Sequence, residues 1–218
     1  MPNERPTDKP MIDFRETPLL ILWELTQACA LACRHCRAEA QPRRHDDELS
    51  TAECFEVLEQ IRDLGAPLVV LTGGDPAQRP DLVTLIEQGT SLGLRMALTP
   101  SATPRTTPAL LERCEKAGLL RVAFSVDGAD EAEHDRFRGV RGSWRRTLDL
   151  LDAAHRIGLS AQVNTTITRA NADRFDDLAA AVLPLPIDLW SVFFAVPTGR
   201  ASADDIPTAE QCEWVFDR

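Results

Sequence analysis

No apolar run in the 218 residues approaches the length needed to cross a bilayer, and the opening stretch MPNERPTDKPMIDFRETP lacks the apolar core of a secretory signal. Positive charge is also scarce: 24 Lys and Arg stand against 34 Asp and Glu, a formal net charge of -10. That balance argues against a general nucleic-acid surface, because neutralising phosphates takes clustered cations in excess. A second cysteine pair, of the kind that closes a structural zinc site, is missing, and no linker interrupts the chain. The expectation is a cytoplasmic protein with no membrane or nucleic-acid partner. In that compartment thiols stay reduced, so clustered cysteines read as metal ligands or redox groups rather than as disulfides.

What is present suffices for a folded domain: 44% of residues are hydrophobic and 27% charged, over a length that can bury a substantial core. Residues 1–18 read as a polar tail and 19–218 as one domain. LLILWELT (19–26) suits a strand buried on both faces. Ser50 and Glu53 then have capping-box spacing, Phe55, Leu58, Ile61 and Leu64 recur at helical intervals, and Gly65 is placed to end that helix. PLVVLT (67–72), LRMALT (94–99), LLRVAFSV (119–126), LSAQVNTTIT (159–168) and DLWSVFFAV (188–196) are further predicted strands. Helices are predicted at 81–93, from Thr107-Pro108 to Gly118, after Ser143 as a cap, and at 175–183.

Alternating strands and helices imply right-handed crossovers and a parallel sheet. Six units are too few for a closed eight-fold barrel, which typically needs about 250 residues, so the expected fold is α/β, a partial (β/α)6 TIM-type barrel with parallel strands. Thr208 and Gln211 open another capping box with no closing signal before Arg218, which predicts a C-terminal truncation.

The chemistry concentrates in CALACRHC, where Cys29, Cys33 and Cys36 follow the first strand, at the sheet edge where parallel α/β folds place their sites. Thiolates suit zinc, copper or iron–sulfur clusters. Cys54, Cys114 and Cys212 lie singly in predicted helices and read as small buried apolar residues. A four-iron cluster ordinarily takes four cysteines, so three leave one iron open. Two alternatives stand beside it. A redox dithiol of Cys33 and Cys36 leaves Cys29 unexplained, and a zinc site completed by His35 or another chain needs a ligand not displayed nearby.

CxxxCxxC after a first strand resembles the signature of the radical S-adenosylmethionine (SAM) superfamily, with His35 in the usually aromatic position before the last cysteine. The resemblance continues in TGGDP (72–76), similar to that family's GGEP motif with Asp75 for the commoner Glu, in FSVDG (124–128) with HDRFRG (134–139), and in VPTGRA (196–201). Those later motifs are similar to the SPASM-associated members, which include peptide maturases and haem-pathway enzymes. The likeness runs from about Leu19 onward, and the C-terminal SPASM domain with its auxiliary-cluster cysteines is not in this sequence.

The resemblance implies an enzyme that cleaves SAM reductively at a 4Fe–4S cluster on Cys29, Cys33 and Cys36, giving a 5′-deoxyadenosyl radical for hydrogen abstraction from a peptide or tetrapyrrole-type substrate. It implies SAM contacts at Gly73, Gly74, Asp75 and Pro76, at Ser125 and Arg138 for the carboxylate, and at Asn164 for the ribose. It further implies a low-potential reductant such as flavodoxin or ferredoxin. A non-catalytic or truncated metal-binding module with the same barrel is the alternative.

Other residues carry less. Asp127 with Gly128 reads equally as turn chemistry, and Arg141, Arg145 and Arg146 as solvated surface. His134 falls in what reads as a charged loop, making local hydrogen bonds. Glu24, a carboxylate in an apolar strand, either faces the barrel mouth or pairs with an arginine.

Overall fold

The computed structural model describes residues 15–66 and 68–218, so most of the predicted tail lies outside the described residues. Six parallel strands, β1 (Ile21–Glu24), β2 (Val69–Thr72), β3 (Met96–Leu98), β4 (Arg121–Ser125), β5 (Ser160–Ile167) and β6 (Leu189–Phe194), lie side by side in chain order. Among the described residues β1 and β6 are the two edges, which makes the sheet a partial barrel. The helices are α1 (Thr51–Asp63), α2 (Leu82–Ser91), α3 (Pro108–Lys116), α4 (Glu131–Arg138), α5 (Ser143–Arg156), α6 (Phe175–Val182) and α7 (Ala209–Phe216). No helix among the described residues is long and apolar enough to cross a membrane.

The local signals act as their chemistry dictates. Ser50 and Glu53 close a reciprocal capping box on α1, and Thr208 and Gln211 close one on α7. Thr107 caps α3, with Pro108 at its first position. In the middle of the sheet β3 and the centre of β4 are buried on both faces, and Leu71, Leu98 and Phe124 share one core with Leu85, Leu111 and Leu151, all at 0–1% exposure. Each such side chain contributes roughly 1.5–3 kcal/mol of burial.

Three expectations need correction. β1 is not buried on both faces; its residues alternate between half-buried and exposed, with Leu22 63% exposed, because it is an edge strand. HDRFRG is the end of a helix, α4, rather than a loop: Asp130 caps it through the Glu133 amide and Gly139 ends it in the left-handed conformation. Ser143 is the first residue of α5 and not its cap. Gly142 holds that position, and the Asp135 carboxylate of α4 accepts from the Gly142 and Trp144 amides.

Candidate active site

At the C-terminal ends of the strands lies a cavity of about 210 Å³. The loop after β1 supplies Cys29, Cys33 and Cys36 to its wall, and the loop after β2 supplies Gly73 and Gly74. Ser101 comes from the loop after β3, Ser125 from the end of β4, Arg138 from the end of α4 and Arg200 from the loop after β6.

The cysteine loop is closed at its base by reciprocal backbone bonds, Cys29 N–H to the Gln41 carbonyl and Gln41 N–H to the Gln27 carbonyl, both 2.8 Å. Every one of the three sulfurs then receives an N–H: Leu31 N to Cys29 Sγ at 3.3 Å, Ala40 N to Cys36 Sγ at 3.4 Å, and Arg138 Nη1 to Cys33 Sγ at 3.6 Å. Ser101 Oγ stands 3.5 Å from Cys29 Sγ. Burial pushes the Cys29 thiol pKa up, while the Ser101 and Leu31 hydrogen bonds draw it down.

Gly73 and Gly74 let two backbones meet. Gly74 N–H donates to the Thr26 carbonyl and Asp75 N–H to the Ala28 carbonyl, both at 2.7 Å. A Cβ on Gly74 would stand 2.5 Å from the carbonyl oxygens of Gln27 and Ala28, and one on Gly73, at φ +133°, would stand 2.4 Å from that of Thr26. The glycines thus fasten the β2 loop onto the cysteine loop while facing the cavity.

Asp75 and Pro76 do not line the cavity. Asp75 is fully buried, and its carboxylate accepts from Ala77 N (3.1 Å), Ser101 N (3.2 Å), Thr103 Oγ1 (2.8 Å) and Gln78 Nε2 (3.4 Å). It ties the β2 and β3 loops together and so positions Ser101; burial raises its pKa against those donors. Pro76, itself buried, starts a 3-10 turn, Pro76–Gln78. Asn164 is also absent from the wall; it sits beside Ser125 in the β4–β5 register, with its carbonyl oxygen held by Gln162 Nε2 at 2.7 Å.

A second buried group backs the cavity. Asp127 is wholly buried and pairs with Arg138, while its Oδ1 accepts the Thr166 amide at 2.8 Å. Its backbone N–H donates to His134 Nδ1 at 3.2 Å, which leaves the proton of the neutral ring on Nε2, 3.3 Å from Ser143 Oγ. Ser143 therefore accepts from His134, and its own proton is free for an acceptor in the cavity that the residue lines. At the rim Glu24 faces the cavity and pairs with Arg37, so the two readings of Glu24 hold together. Arg145 is an exposed partner of Glu131, as surface charge should be.

Comparison with known proteins decides the family. The model described as the radical SAM superfamily matches residues 23–181. The chain belongs to the radical SAM superfamily, a family of enzymes. An AdoMet-dependent heme synthase of Nitratidesulfovibrio vulgaris is 37% identical over 211 residues, covering 94% of this chain and 57% of that protein. The mycofactocin maturase MftC of Mycolicibacterium smegmatis is 30% identical over 206 residues, 93% of this chain and 52% of that protein. This radical SAM chain spans about half the length of the curated relatives it matches. Among solved structures, Streptococcus suis SuiB bound to S-adenosylmethionine superposes with a TM-score of 0.77 at 19% identity, over 93% of this chain and 48% of that one, a likeness of fold.

The cofactors of radical SAM enzymes are a 4Fe–4S cluster and SAM, and the residues here fit them. Among the described residues no three His, Cys, Asp or Glu side chains converge as ligands of a single ion. A four-iron cluster takes one thiolate on each of several irons. All six cysteines are free thiols, and the three of the loop share one cavity with N–H groups aimed at their sulfurs.

The radical SAM motifs pointed to most of this wall. Ser101 did not stand out in the sequence, Ser143 was expected only as a helix cap, and Arg200 entered only as part of VPTGRA. Ser101 lies just past β3 and so had the one available signal, its position at a strand end. Ser143 owes its place to α4, a helix with few apolar residues.

Proposed function

We propose that this chain is the catalytic core of a radical SAM enzyme that abstracts hydrogen from a peptide or tetrapyrrole-type substrate, with Cys29, Cys33 and Cys36 as the cluster ligands. The observation that carries the proposal is one cavity in which three hydrogen-bonded cysteine sulfurs face glycine backbone, Ser125 and Arg138. When bound, the cluster and SAM supply a 5′-deoxyadenosyl radical through reductive cleavage of the sulfonium, with the electron drawn from a low-potential donor such as flavodoxin or ferredoxin. The substrate class is supported by relatives named as heme synthase, mycofactocin maturase and PqqA peptide cyclase.

The chain's own residues divide the remaining work. Gly73 and Gly74 offer main chain to the SAM amino group, and Ser125 and Arg138 offer a hydroxyl and a guanidinium to its carboxylate. Arg138 gives an N–H to Cys33 and is ion-paired with Asp127, and a guanidinium has five N–H groups. Ser143 adds a donor whose direction His134 sets. Asp75 and Pro76 act one step back, by shaping the loop that carries the glycines and Ser101. Asn164 keeps its amide N–H groups without an acceptor among the described residues, available to a ribose hydroxyl.

The test is anaerobic reconstitution with iron and sulfide, followed by SAM and a strong reductant. The expected result is a four-iron cluster on the wild-type chain, its loss when Cys29, Cys33 and Cys36 are all changed to Ala, and release of 5′-deoxyadenosine. Bound zinc, or a cluster that survives the triple change, overturns the proposal. A cluster that loads but never yields 5′-deoxyadenosine identifies a non-catalytic module instead.

A further inference from the structure

We propose that Arg138, with Asp127 as its positioning residue, sets the reduction potential of the cluster through the charged hydrogen bond from Arg138 to the Cys33 sulfur. This rests on the cluster assignment above.

Cys33 differs from its two neighbours in the loop. Cys29 and Cys36 receive their N–H groups from nearby backbone, at Leu31 and Ala40, whereas Cys33 receives its from a cationic side chain 105 residues away. That cation is anchored from behind. Asp127 anchors the guanidinium and is itself anchored, with Oδ1 on the Thr166 amide at 2.8 Å and its carbonyl on Asn171 Nδ2 at 3.0 Å. The backbone is fixed too: the Arg138 carbonyl accepts the Ala32 amide at 3.2 Å, one residue before Cys33. At Gly139 the chain passes so near the cysteine loop that a Cβ would lie 2.8 Å from the Ala32 carbonyl.

Hydrogen bonds to cluster sulfurs and the charges around them are the protein's levers on potential. Reduction adds one negative charge, and a fixed cation on a ligand sulfur stabilises the reduced form more than the oxidised one. Arg138 therefore raises the potential, and the Asp127 carboxylate behind it offsets part of that effect. The step concerned is transfer of one electron from a low-potential one-electron donor, with no protein bond made or broken and no proton moved. A merely structural pair would weaken cluster loading in either variant. An electrostatic pair shifts the midpoint in opposite directions when each member is neutralised.

The experiment is a potentiometric titration of the reconstituted full chain without SAM, using titanium(III) citrate and following the reduced cluster by electron paramagnetic resonance. At the wild-type midpoint, Arg138→Gln is expected to lower the reduced-to-oxidised ratio about tenfold, a displacement of about 59 mV to more negative potential for a one-electron couple. Arg138→Lys, which keeps the charge, is expected to stay near wild type, and Asp127→Asn to move to more positive potential. An unmoved midpoint in Arg138→Gln, or equal shifts in the Gln and Lys variants, overturns the proposal. So do shifts of the same sign in Arg138→Gln and Asp127→Asn. Where Asp127→Asn loads no cluster, the two Arg138 variants decide alone. A wild-type chain that binds no cluster overturns the cluster assignment as well, before any midpoint is read.

Discussion

His134 is buried between the end of β4 and the first turn of α5, with one nitrogen accepting the Asp127 amide and the other on Ser143. Burial, with the charge of Arg138 adding to it, lowers its pKa from 6.5 to about 4. The folded value lies below the unfolded one, so above pH 6.5 both states are neutral and the ring contributes no pH dependence. Between pH 6.5 and 4 the unfolded chain takes up a proton that the folded ring refuses, and stability falls as pH falls, by on the order of 3 kcal/mol in all. Melting midpoints measured from pH 7 to 4.5 should therefore drop further for wild type than for His134→Gln. Local hydrogen bonding at His134 is legible from its neighbours. The direction it gives to Ser143 is not, since that depends on which backbone amide meets which ring nitrogen.

One carboxylate of α4 serves the start of α5. Asp135, in the middle of α4, accepts from the Gly142 and Trp144 amides and so does for α5 what an N-cap side chain would do. Asp135→Ala is expected to cost about 1–2 kcal/mol, read as a lower urea midpoint at unchanged slope. Where an element buries an apolar face or carries its own cap, the sequence announces it: α1, α3 and α7 start at the residues that Ser50, Thr107 and Thr208 mark. α4 escapes because EAEHDRFR has a single large apolar residue, Phe137, whose ring meets that of His35 at a tilt, 4.3 Å between centroids, instead of joining the main core. Its existence is set by Asp130, Gly139 and contact with the cysteine loop, and only the first two are local. In β1 the apolar run LLILWELT gives the strand its type, but whether its faces are covered depends on its place at an edge, and edge position is a property of the whole sheet.

At the scale of the molecule, the sheet has two edges, and both carry exposed apolar side chains: Leu22, 63% exposed on β1, and Phe193, 53% exposed on β6. Unpaired strand edges with apolar side chains template association. The double variant Leu22→Lys, Phe193→Lys is expected to elute with a smaller apparent mass at high concentration than wild type and to load the same iron per chain, since neither residue lines the cavity. The order of the strands follows from the alternation of elements, but the seam between first and last does not. Gly199 packs against the carbonyls of Cys36 and Arg37, where a Cβ would stand 2.3 and 2.5 Å away, and the Arg200 amide donates to the Cys36 carbonyl at 3.0 Å. That seam imposes an order in time. During synthesis Cys36 emerges from the ribosome long before Gly199 and Arg200, so the cysteine loop waits, uncovered on that side, until all six strands have been made.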